Sequence, residues 1–214
     1  MRRKYILFDF DGTLFDTSPG ILRCMAKALT EGGYTPGDER AMKRFVGPPV
    51  LEALREFYGM DEAEAERVKT LYRTAYRAEG VYECAPIAGA EECLRALKAA
   101  GAHIAVATSK PIRFAREILQ RFRFDGYFDA VCGAESDAHS GKAEIVRRAM
   151  RELGADPAQS LMVGDRKYDV LGAKACGIPC IVLDSGFAEP GEYEEAGAAA
   201  VFADYPSVQA YLLA

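Results

Sequence analysis

Short apolar runs alternate with helical patterns along most of this 214-residue chain. Each run is continuous, as expected of strands that are buried on both faces of a sheet. The runs cover residues 5–10, 103–108, 129–132, 160–163 and 179–183. Between them apolar residues recur at helical spacing, and Phe114, Ile118 and Leu119 share one such face. This alternation predicts βαβ units, so we expect an α/β fold with a mainly parallel, Rossmann-like sheet flanked by helices.

The segment from about residue 18 to residue 78 breaks this alternation. It shows helical patterns and no convincing strand. Because the segment follows the first strand directly, we interpret it as a helical cap inserted at the carboxyl edge of the sheet. The stretch Glu83–Pro86 is a plausible return to the core. We therefore predict an α/β core formed by residues 1–15 and 85–214, and an α-helical cap domain at residues 16–84.

Composition limits the partners that the chain can have. Its formal net charge is −5, so it lacks the basic footprint of a nucleic-acid-binding protein. No apolar stretch approaches the length of a membrane span, so we expect no membrane association. The six cysteines form no CxxC pair, which argues against zinc and is typical of reduced thiols in a cytoplasmic protein. We expect a cytoplasmic protein with a small-molecule partner, either a monomer or a homodimer.

The first candidate site is the segment Asp9-Phe10-Asp11-Gly12-Thr13, directly after an apolar strand. Asp9 and Asp11 are close enough to repel each other unless a cation or a proton separates them. Mg²⁺ is the natural partner for such hard oxygen ligands. A simple turn with a helix cap is the alternative for an isolated Asp-x-Asp pair. The full string after a buried strand favours a site.

Two further polar motifs lie near the carboxyl ends of later strands, where open α/β sheets bind their ligands. Thr108-Ser109-Lys110 ends one strand and could bind an anion, although a hydroxyl that caps the next helix is the simpler alternative. Lys142 begins the helix predicted at residues 143–153, where its charge opposes the helix dipole. An anionic partner would explain that placement, as would plain solvation.

The last motif is Gly164–Asp169, which follows the strand at residues 160–163. Asp165 and Asp169 lie one helical turn apart and can face the same cleft. Capping of the helix that follows would explain Asp165 but not Asp169. Together with Asp9 and Asp11, these carboxylates predict a Mg²⁺ site.

The order and spacing of these motifs resemble those of the haloacid dehalogenase-like hydrolase superfamily over the whole chain. The four motifs are DFDGT, the hydroxyl of VATSK, the lysine of SGKAEIV, and GDRKYD. The helical insert resembles the cap of the phosphoglycolate phosphatase and β-phosphoglucomutase-like branch. Within that branch, KRFVGPPV and VGDRKYDVLGAKACGI are similar to phosphoglycolate phosphatase and 5'-nucleotidase-like bacterial proteins.

The resemblance implies roles for the residues that transfer the phosphoryl group. Asp9 would be the nucleophile that forms an aspartyl-phosphate intermediate. Asp11 would protonate the leaving oxygen and then deprotonate the attacking water. Thr108 and Lys142 would hold the transferring phosphoryl group.

The resemblance also implies the Mg²⁺ ligands. Asp165, Asp9 and the backbone carbonyl of Asp11 would bind the ion directly. Asp169 would support it through water or an outer contact.

Other residues are candidates for contacts with the substrate. They are Gly12, Thr13, Ser109, Lys110 and Arg44. Arg44 lies before a Val-Gly-Pro-Pro turn in the predicted cap, and its guanidinium could bind a carboxylate or a second phosphate bidentately. A solvent-exposed helix end is the alternative for this residue.

Two basic residues near the motifs have open roles. Arg166 follows Asp165 and could reach a substrate anion or pair with a nearby carboxylate. His139 lies three residues before Lys142 and could touch the site or lie in a surface loop.

The sequence therefore predicts a magnesium-dependent phosphatase that hydrolyses a small phosphate monoester. Phosphoglycolate, a nucleoside monophosphate and a small sugar phosphate all fit. A phosphosugar mutase of the β-phosphoglucomutase type would use the same four motifs and is the enzymatic alternative. A non-catalytic phosphate-binding regulatory module is the third possibility.

Overall fold

The computed structural model describes residues 3–135 and 141–214. The strands are β1 (Tyr5–Phe8), β2 (Phe15–Asp16), β3 (Ala85–Pro86), β4 (His103–Pro111), β5 (Ala130–Ala134), β6 (Ser160–Gly164), β7 (Cys180–Leu183) and β8 (Ala200–Phe202). The helices are α1 (Ser18–Glu31), α2 (Glu39–Lys43), α3 (Val50–Tyr58), α4 (Glu62–Ala78), α5 (Ala90–Ala99), α6 (Ile112–Phe122), α7 (Lys142–Leu153), α8 (Lys167–Lys174), α9 (Glu192–Ala196) and α10 (Tyr205–Leu213).

The main sheet has six strands in the described residues, in the order β5-β4-β1-β6-β7-β8. Every neighbouring pair is parallel, and Phe8 at the end of β1 is in register with Val106 of β4 and Val163 of β6. The predicted Rossmann-like α/β fold is confirmed. Along the chain, strands are added on one side of β1 up to β5 and on the other side from β6 onward. The strand order therefore reverses between β1 and β6, which is where such sheets bind ligands.

The core lies on both faces of β1, whose residues Ile6, Leu7 and Phe8 are fully buried. Leu7 belongs to a cluster that includes Met162 of β6 and Ile145 of α7. Because strand side chains alternate, Ile6 and Phe8 point to the opposite face of the sheet. Burial on two faces explains why this strand appears in the sequence as a continuous apolar run.

One strand of the sheet was not predicted. Strand β8 is three residues long, and Val201 at its centre is 44% exposed. Ala200–Phe202 lies in the apolar run of residues 198–203, but four of those six residues are alanine, which has little preference for strands. Strand β4 extends to Pro111, so Thr108, Ser109 and Lys110 lie within the strand rather than in a loop after it.

The described chain divides into two compact units, Met1–Phe15 with Pro86–Ala214, and Asp16–Ala85. The smaller unit contains α1 to α4, and among its described residues no strand occurs between residues 18 and 78. A Cβ atom on Gly20 would lie 2.0 Å from the carbonyl oxygen of Gly80, so α1 packs tightly against the chain after α4. Arg23 of α1 pairs with Glu79 at 2.7 Å and with Glu83 at 2.6 Å. That this unit acts as a cap domain stays a prediction.

None of the helices in the described ranges combines the length and the apolar character that crossing a bilayer requires.

Candidate active site

Three buried aspartates meet at the reversal of strand order between β1 and β6. Carboxylate oxygens of Asp9, Asp165 and Asp169 all lie within 4.8 Å of one another. Asp9 directly follows β1, and Asp165 directly follows β6. The backbone N–H of Asp9 donates to the carbonyl of Val163 at 2.9 Å, so the two strand ends stay paired up to the cluster. The sheet thus brings together three of the predicted site residues.

Lys142 joins two of these carboxylates. Its Nζ lies 2.6 Å from Oδ1 of Asp9 and 2.6 Å from Oδ1 of Asp169. The lysine side chain is only 8% exposed, although it stems from the first residue of α7. A Cβ on Gly172 of α8 would lie 2.7 Å from Cγ of Lys142, so this position of α8 has no room for a side chain. The anionic partners of Lys142 include the site's own carboxylates.

Burial and charge change how these groups ionise. Burial raises the pKa of Asp9 to about 7, against the attraction of Lys142. Burial also raises the pKa of Asp165 well above its ordinary range, and the neighbouring charge of Asp169 adds to this effect. Burial lowers the pKa of Lys142, but Asp169 and Asp9 more than offset that effect and keep the ammonium charged. A bound cation would favour the ionised form of both raised carboxyl groups.

The cluster fits a divalent cation. When all three carboxyl groups are ionised, their negative charges exceed the positive charge of Lys142 by two in a buried site. Hard oxygen ligands of this kind suit Mg²⁺ or a similar ion. Asp165 and Asp9 are the residues that would hold it. Asp11 is not one of the clustered carboxylates, so its predicted contribution through the backbone carbonyl stays a prediction.

The turn after β1 leaves room for Asp165. The carbonyl of Phe10 accepts N–H groups from Leu14 at 3.0 Å and Phe15 at 3.0 Å, which folds the chain back tightly. Gly12 has φ +80°, and a Cβ there would lie 2.1 Å from Oδ2 of Asp165. The turn therefore needs glycine for its conformation and for its contact with Asp165.

Thr13 contacts both Asp165 and the core of the protein. Its hydroxyl lies 3.3 Å from Oδ1 of Asp165 and can donate to it. Its carbonyl accepts the hydroxyl of Tyr205 at 2.8 Å, which anchors the turn in the core. Gly12 and Thr13 thus contact Asp165, and their predicted substrate contacts stay predictions.

Asp169 caps the helix on which it lies. Its Oδ2 accepts the backbone N–H groups of Asp165 at 3.1 Å and Arg166 at 3.0 Å. The sequence-based alternative assigned this capping to Asp165, and that assignment is wrong. With Oδ1 on Lys142 and Oδ2 on the backbone, Asp169 links Lys142 to the loop that carries Asp165.

A second ion pair lies beside the first strand. Lys110 Nζ lies 2.8 Å from Oδ1 of Asp11, and its side chain is 4% exposed. Thr108 is buried, and its hydroxyl accepts the N–H of Lys110 at 3.1 Å. The suggestion that Thr108 caps the next helix is wrong, because α6 starts after Pro111 and has no side-chain cap. The role of Thr108 in holding phosphate stays a prediction, as does the contact of half-buried Ser109 with substrate.

Arg166 pairs with a carboxylate, which was one of its two predicted roles. Its Nε donates to Oε1 of Glu192 at 2.8 Å, and a second N–H donates to Oε2 at 3.2 Å. Glu192 also accepts the backbone N–H groups of Lys167 at 2.9 Å and Glu189 at 3.2 Å. Both charged residues are buried, so this pair fastens the loop after β6 to α9.

Two further residues were predicted to belong to the site, Arg44 and His139. Arg44 lies in the smaller unit, where its guanidinium is 3.9 Å from the centre of the Phe57 ring and 3.9 Å from Glu56. Its contact with substrate stays a prediction. His139 lies outside the described residues.

Sequence reasoning missed two polar partners of the site. The hydroxyl of Ser185 donates to Oδ2 of Asp165 at 2.7 Å. Ser185 comes just after β7, so the same rule that singled out the other strand ends could have found it. Glu192 lies within a run of acidic residues that resembles a solvated helix face, and nothing in that pattern marks it as buried.

Comparisons with known proteins agree with this architecture. A family model described as "Haloacid dehalogenase-like hydrolase" matches residues 6–183. A crystal structure of a predicted phosphatase from Clostridium acetobutylicum has 35% sequence identity and a TM-score of 0.94, with 100% of this chain and 99% of that chain covered. The likeness extends over both compact units.

Three relatives carry different names. A 5'-nucleotidase from Pseudomonas aeruginosa is 40% identical over 193 residues, which cover 90% of this chain and 87% of that protein. A phosphoglycolate phosphatase from Rhodospirillum rubrum is 36% identical over 221 residues, with 98% and 90% covered. Tyrosine-protein kinase PtkA from Mycobacterium tuberculosis is 36% identical over 185 residues, and the match covers 86% of this chain but only 63% of PtkA.

We predict that Gly12→Ala damages the site more than a matched glycine substitution elsewhere. Gly33 has a similar φ of +88°, but a Cβ there meets nothing within 4 Å. Gly33→Ala should therefore cost only the backbone strain, about 1–3 kcal/mol of unfolding free energy. Gly12→Ala should add a clash with Asp165 and weaken divalent-cation binding by about 10–100-fold. Denaturant unfolding and calorimetric Mg²⁺ titration would measure both effects, and equal behaviour of the two variants would contradict the packing argument.

We also predict that Glu192→Ala destabilises the protein, because it leaves the buried guanidinium of Arg166 without its main counter-ion. The expected loss is about 3–5 kcal/mol of unfolding free energy. Replacing both partners by apolar residues, as Arg166→Met with Glu192→Leu, should cost less than the single change. Denaturant unfolding of the three proteins tests this order, and a double variant less stable than Glu192→Ala would refute it.

Proposed function

The chain belongs to the haloacid dehalogenase-like hydrolase family, and we propose that it is a Mg²⁺-dependent phosphatase that hydrolyses a small phosphate monoester through an aspartyl-phosphate on Asp9. The observation that carries this proposal is the contact of Lys142 with Asp9 at 2.6 Å inside a buried acidic cluster. A carboxylate can attack an anionic phosphate only where positive charge offsets their repulsion. Lys142 would supply that charge beside the carboxylate of Asp9.

Asp9 and Asp11 would divide the chemistry between them. An oxygen of Asp9 would attack phosphorus while Asp11 gives a proton to the departing ester oxygen. Asp11 would then take a proton from water as the water attacks the aspartyl-phosphate, which regenerates Asp9 and releases inorganic phosphate. Lys142 and Thr108 would bind the equatorial oxygens of the transferring group.

The acidic cluster supports a metal requirement. A divalent ion held by Asp9 and Asp165 would neutralise charge on the phosphoryl oxygens. Asp169 and Ser185 support this role, because their hydrogen bonds fix the orientation of the Asp165 loop and of its carboxylate. We assign Mg²⁺ because the ligands are hard oxygens.

The leaving group would be selected by the smaller unit. We propose that Asp16–Ala85 acts as a cap domain and that Arg44 contributes to recognition of a substrate carboxylate or phosphate. The relatives named 5'-nucleotidase and phosphoglycolate phosphatase support two substrate classes, a nucleoside monophosphate and a small phosphorylated acid. A cytoplasmic location and action as a monomer or homodimer complete the proposal.

The acceptor of the phosphoryl group defines the second candidate function. An aspartyl-phosphate could pass its phosphoryl group to a hydroxyl in place of water, as a phosphosugar mutase would. The similarity to a protein named tyrosine-protein kinase supports transfer to a hydroxyl group as the second candidate. A non-catalytic module has less support, because all four motifs are intact.

We predict that Asp9→Asn abolishes phosphate release, because an amide cannot serve as the nucleophile. The assay is a panel of phosphate esters with Mg²⁺, in which inorganic phosphate and kcat/KM are measured for each ester. Asp125→Asn is the matched control, since Asp125 is exposed and lies in a short turn outside the site. Turnover by Asp9→Asn above about 1% of wild type would refute the nucleophile assignment, as such a loss is expected when covalent catalysis is removed. Phosphate that appears on a second sugar or on tyrosine would support transfer over hydrolysis.

We predict that EDTA abolishes turnover and that excess Mg²⁺ restores it, since the buried cluster carries uncompensated negative charge. Mg²⁺ should also raise the melting temperature of the wild-type protein, because a ligand that binds the folded state stabilises it. Asp165→Asn should lose most of this thermal shift. Full turnover in EDTA would exclude the metal role.

A further inference from the structure

The ion pair between Lys110 and Asp11 lies beside the acidic cluster and shares no residue with it. Lys110 Nζ donates to Oδ1 of Asp11 at 2.8 Å, while Lys142 serves Asp9 and Asp169. The side chains of Lys110 and Asp11 are 4% and 13% exposed. Each of the two aspartates of the first motif is therefore held by its own lysine.

The backbone around Lys110 is fixed from several directions. The register of β4 against β5 shifts between Ala107 and Pro111, so the strand is irregular where Lys110 lies. The N–H of Lys110 donates to the hydroxyl of Thr108 at 3.1 Å. A Cβ on Gly133 of β5 would lie 2.7 Å from the carbonyl oxygen of Lys110, so the neighbouring strand packs directly against this residue. The irregular strand end thus presents Lys110 in one orientation.

The side chain of Lys110 is also confined. Its Nζ lies 5.7 Å from the centre of the ring of Phe10, which is fully buried. A buried ammonium on a fixed strand end can hold a carboxylate more firmly than an exposed lysine, because less side-chain freedom is lost when the pair forms. The pair therefore limits the orientations that Asp11 can adopt.

We propose that Lys110 is a positioning residue that holds Oδ1 of Asp11 and thereby presents Oδ2 to the leaving group. The inference rests on the proposed function, in which Asp11 is the general acid. The bond from phosphorus to Asp9 forms, the bond from phosphorus to the ester oxygen breaks, and the proton on Oδ2 of Asp11 goes to that oxygen. Lys110 takes no proton in this step and acts through the placement of Asp11.

A direct contact between Lys110 and substrate makes a different prediction. General acid catalysis matters most when the leaving group is basic, whereas binding of the phosphoryl group matters equally for every ester. Phenyl phosphate and 4-nitrophenyl phosphate have similar shapes but leaving groups of different basicity. The value of kcat/KM reports the steps up to loss of the leaving group, so it isolates the step in which Asp11 acts as an acid.

The experiment compares Lys110→Met with wild type on these two esters at saturating Mg²⁺. We expect kcat/KM for phenyl phosphate to fall at least about tenfold more than kcat/KM for 4-nitrophenyl phosphate. Asp11→Asn should show the same preference. Adding Lys110→Met to Asp11→Asn should then cause little further loss, because both changes remove one function. Lys110→Arg, which keeps a charged donor, should recover part of the activity on phenyl phosphate.

Lys98→Met is the matched control. Lys98 pairs with Asp129 at 2.9 Å, and Asp129 also accepts the N–H of Ile104 near the amino end of β4, the end opposite Lys110. This variant loses a lysine–aspartate pair that contacts the other end of β4 and should show no preference between the two esters. Circular dichroism and thermal unfolding of each variant separate loss of fold from loss of positioning.

Three results would overturn the inference. Equal losses of Lys110→Met on both esters, additive with Asp11→Asn, would make Lys110 a substrate-binding residue. A Lys110→Met variant that unfolds, with a Lys110→Arg variant that folds but shows equal losses on both esters, would make the pair structural. Equal losses of Asp11→Asn on both esters would remove the acid role of Asp11. Failure of wild type to release phosphate from any ester would instead refute the proposed function.

Discussion

The burial of three carboxylates next to Lys142 is the constraint on which the rest of the site depends. Asp9, Asp165 and Asp169 would repel one another in a dry interior, and burial already raises the pKa of Asp9 to about 7. Lys142 offsets one charge, and a bound cation or a proton would offset the rest. The surrounding structure serves this arrangement, because β1, β6 and α7 each end or begin where one of these groups is needed.

Much of this arrangement follows from the sequence because parallel strands impose a simple rule. Continuous apolar runs mark buried strands, and the polar residues after them share one edge of the sheet. Asp9, Asp165 and Lys142 could therefore be placed together before the structure was known, and the sheet brings them within hydrogen-bonding or coordination distance. The positions of these residues at or beyond strand ends predict their proximity, and the family resemblance adds their roles.

Other features depend on tertiary contacts that no local pattern encodes. Strand β8 lies in an alanine-rich run that does not distinguish a strand from other structure, and its pairing with β7 is a tertiary contact. In the sequence, Glu192 resembles a solvent-exposed acidic residue, and its pairing with Arg166 arises only from the fold. The pairing of Lys110 with Asp11 spans 99 positions and depends on an irregular strand end. Packing determines which charged residues pair in this way, so sequence periodicity does not predict the pairs.

The glycines that border the site constrain how proteins with this arrangement can diverge. A methyl group on Gly12 would meet Asp165, one on Gly164 would lie 2.4 Å from Cγ of Asp169, and one on Gly172 would meet Lys142. Three charged groups are thus enclosed by bare backbone, and no single substitution can enlarge these positions while the charges stay in place. We therefore expect these three glycines to change rarely among proteins that keep this arrangement of charged groups. Gradual change is easier at positions without such contacts, as at Gly126, where a Cβ would meet nothing within 4 Å.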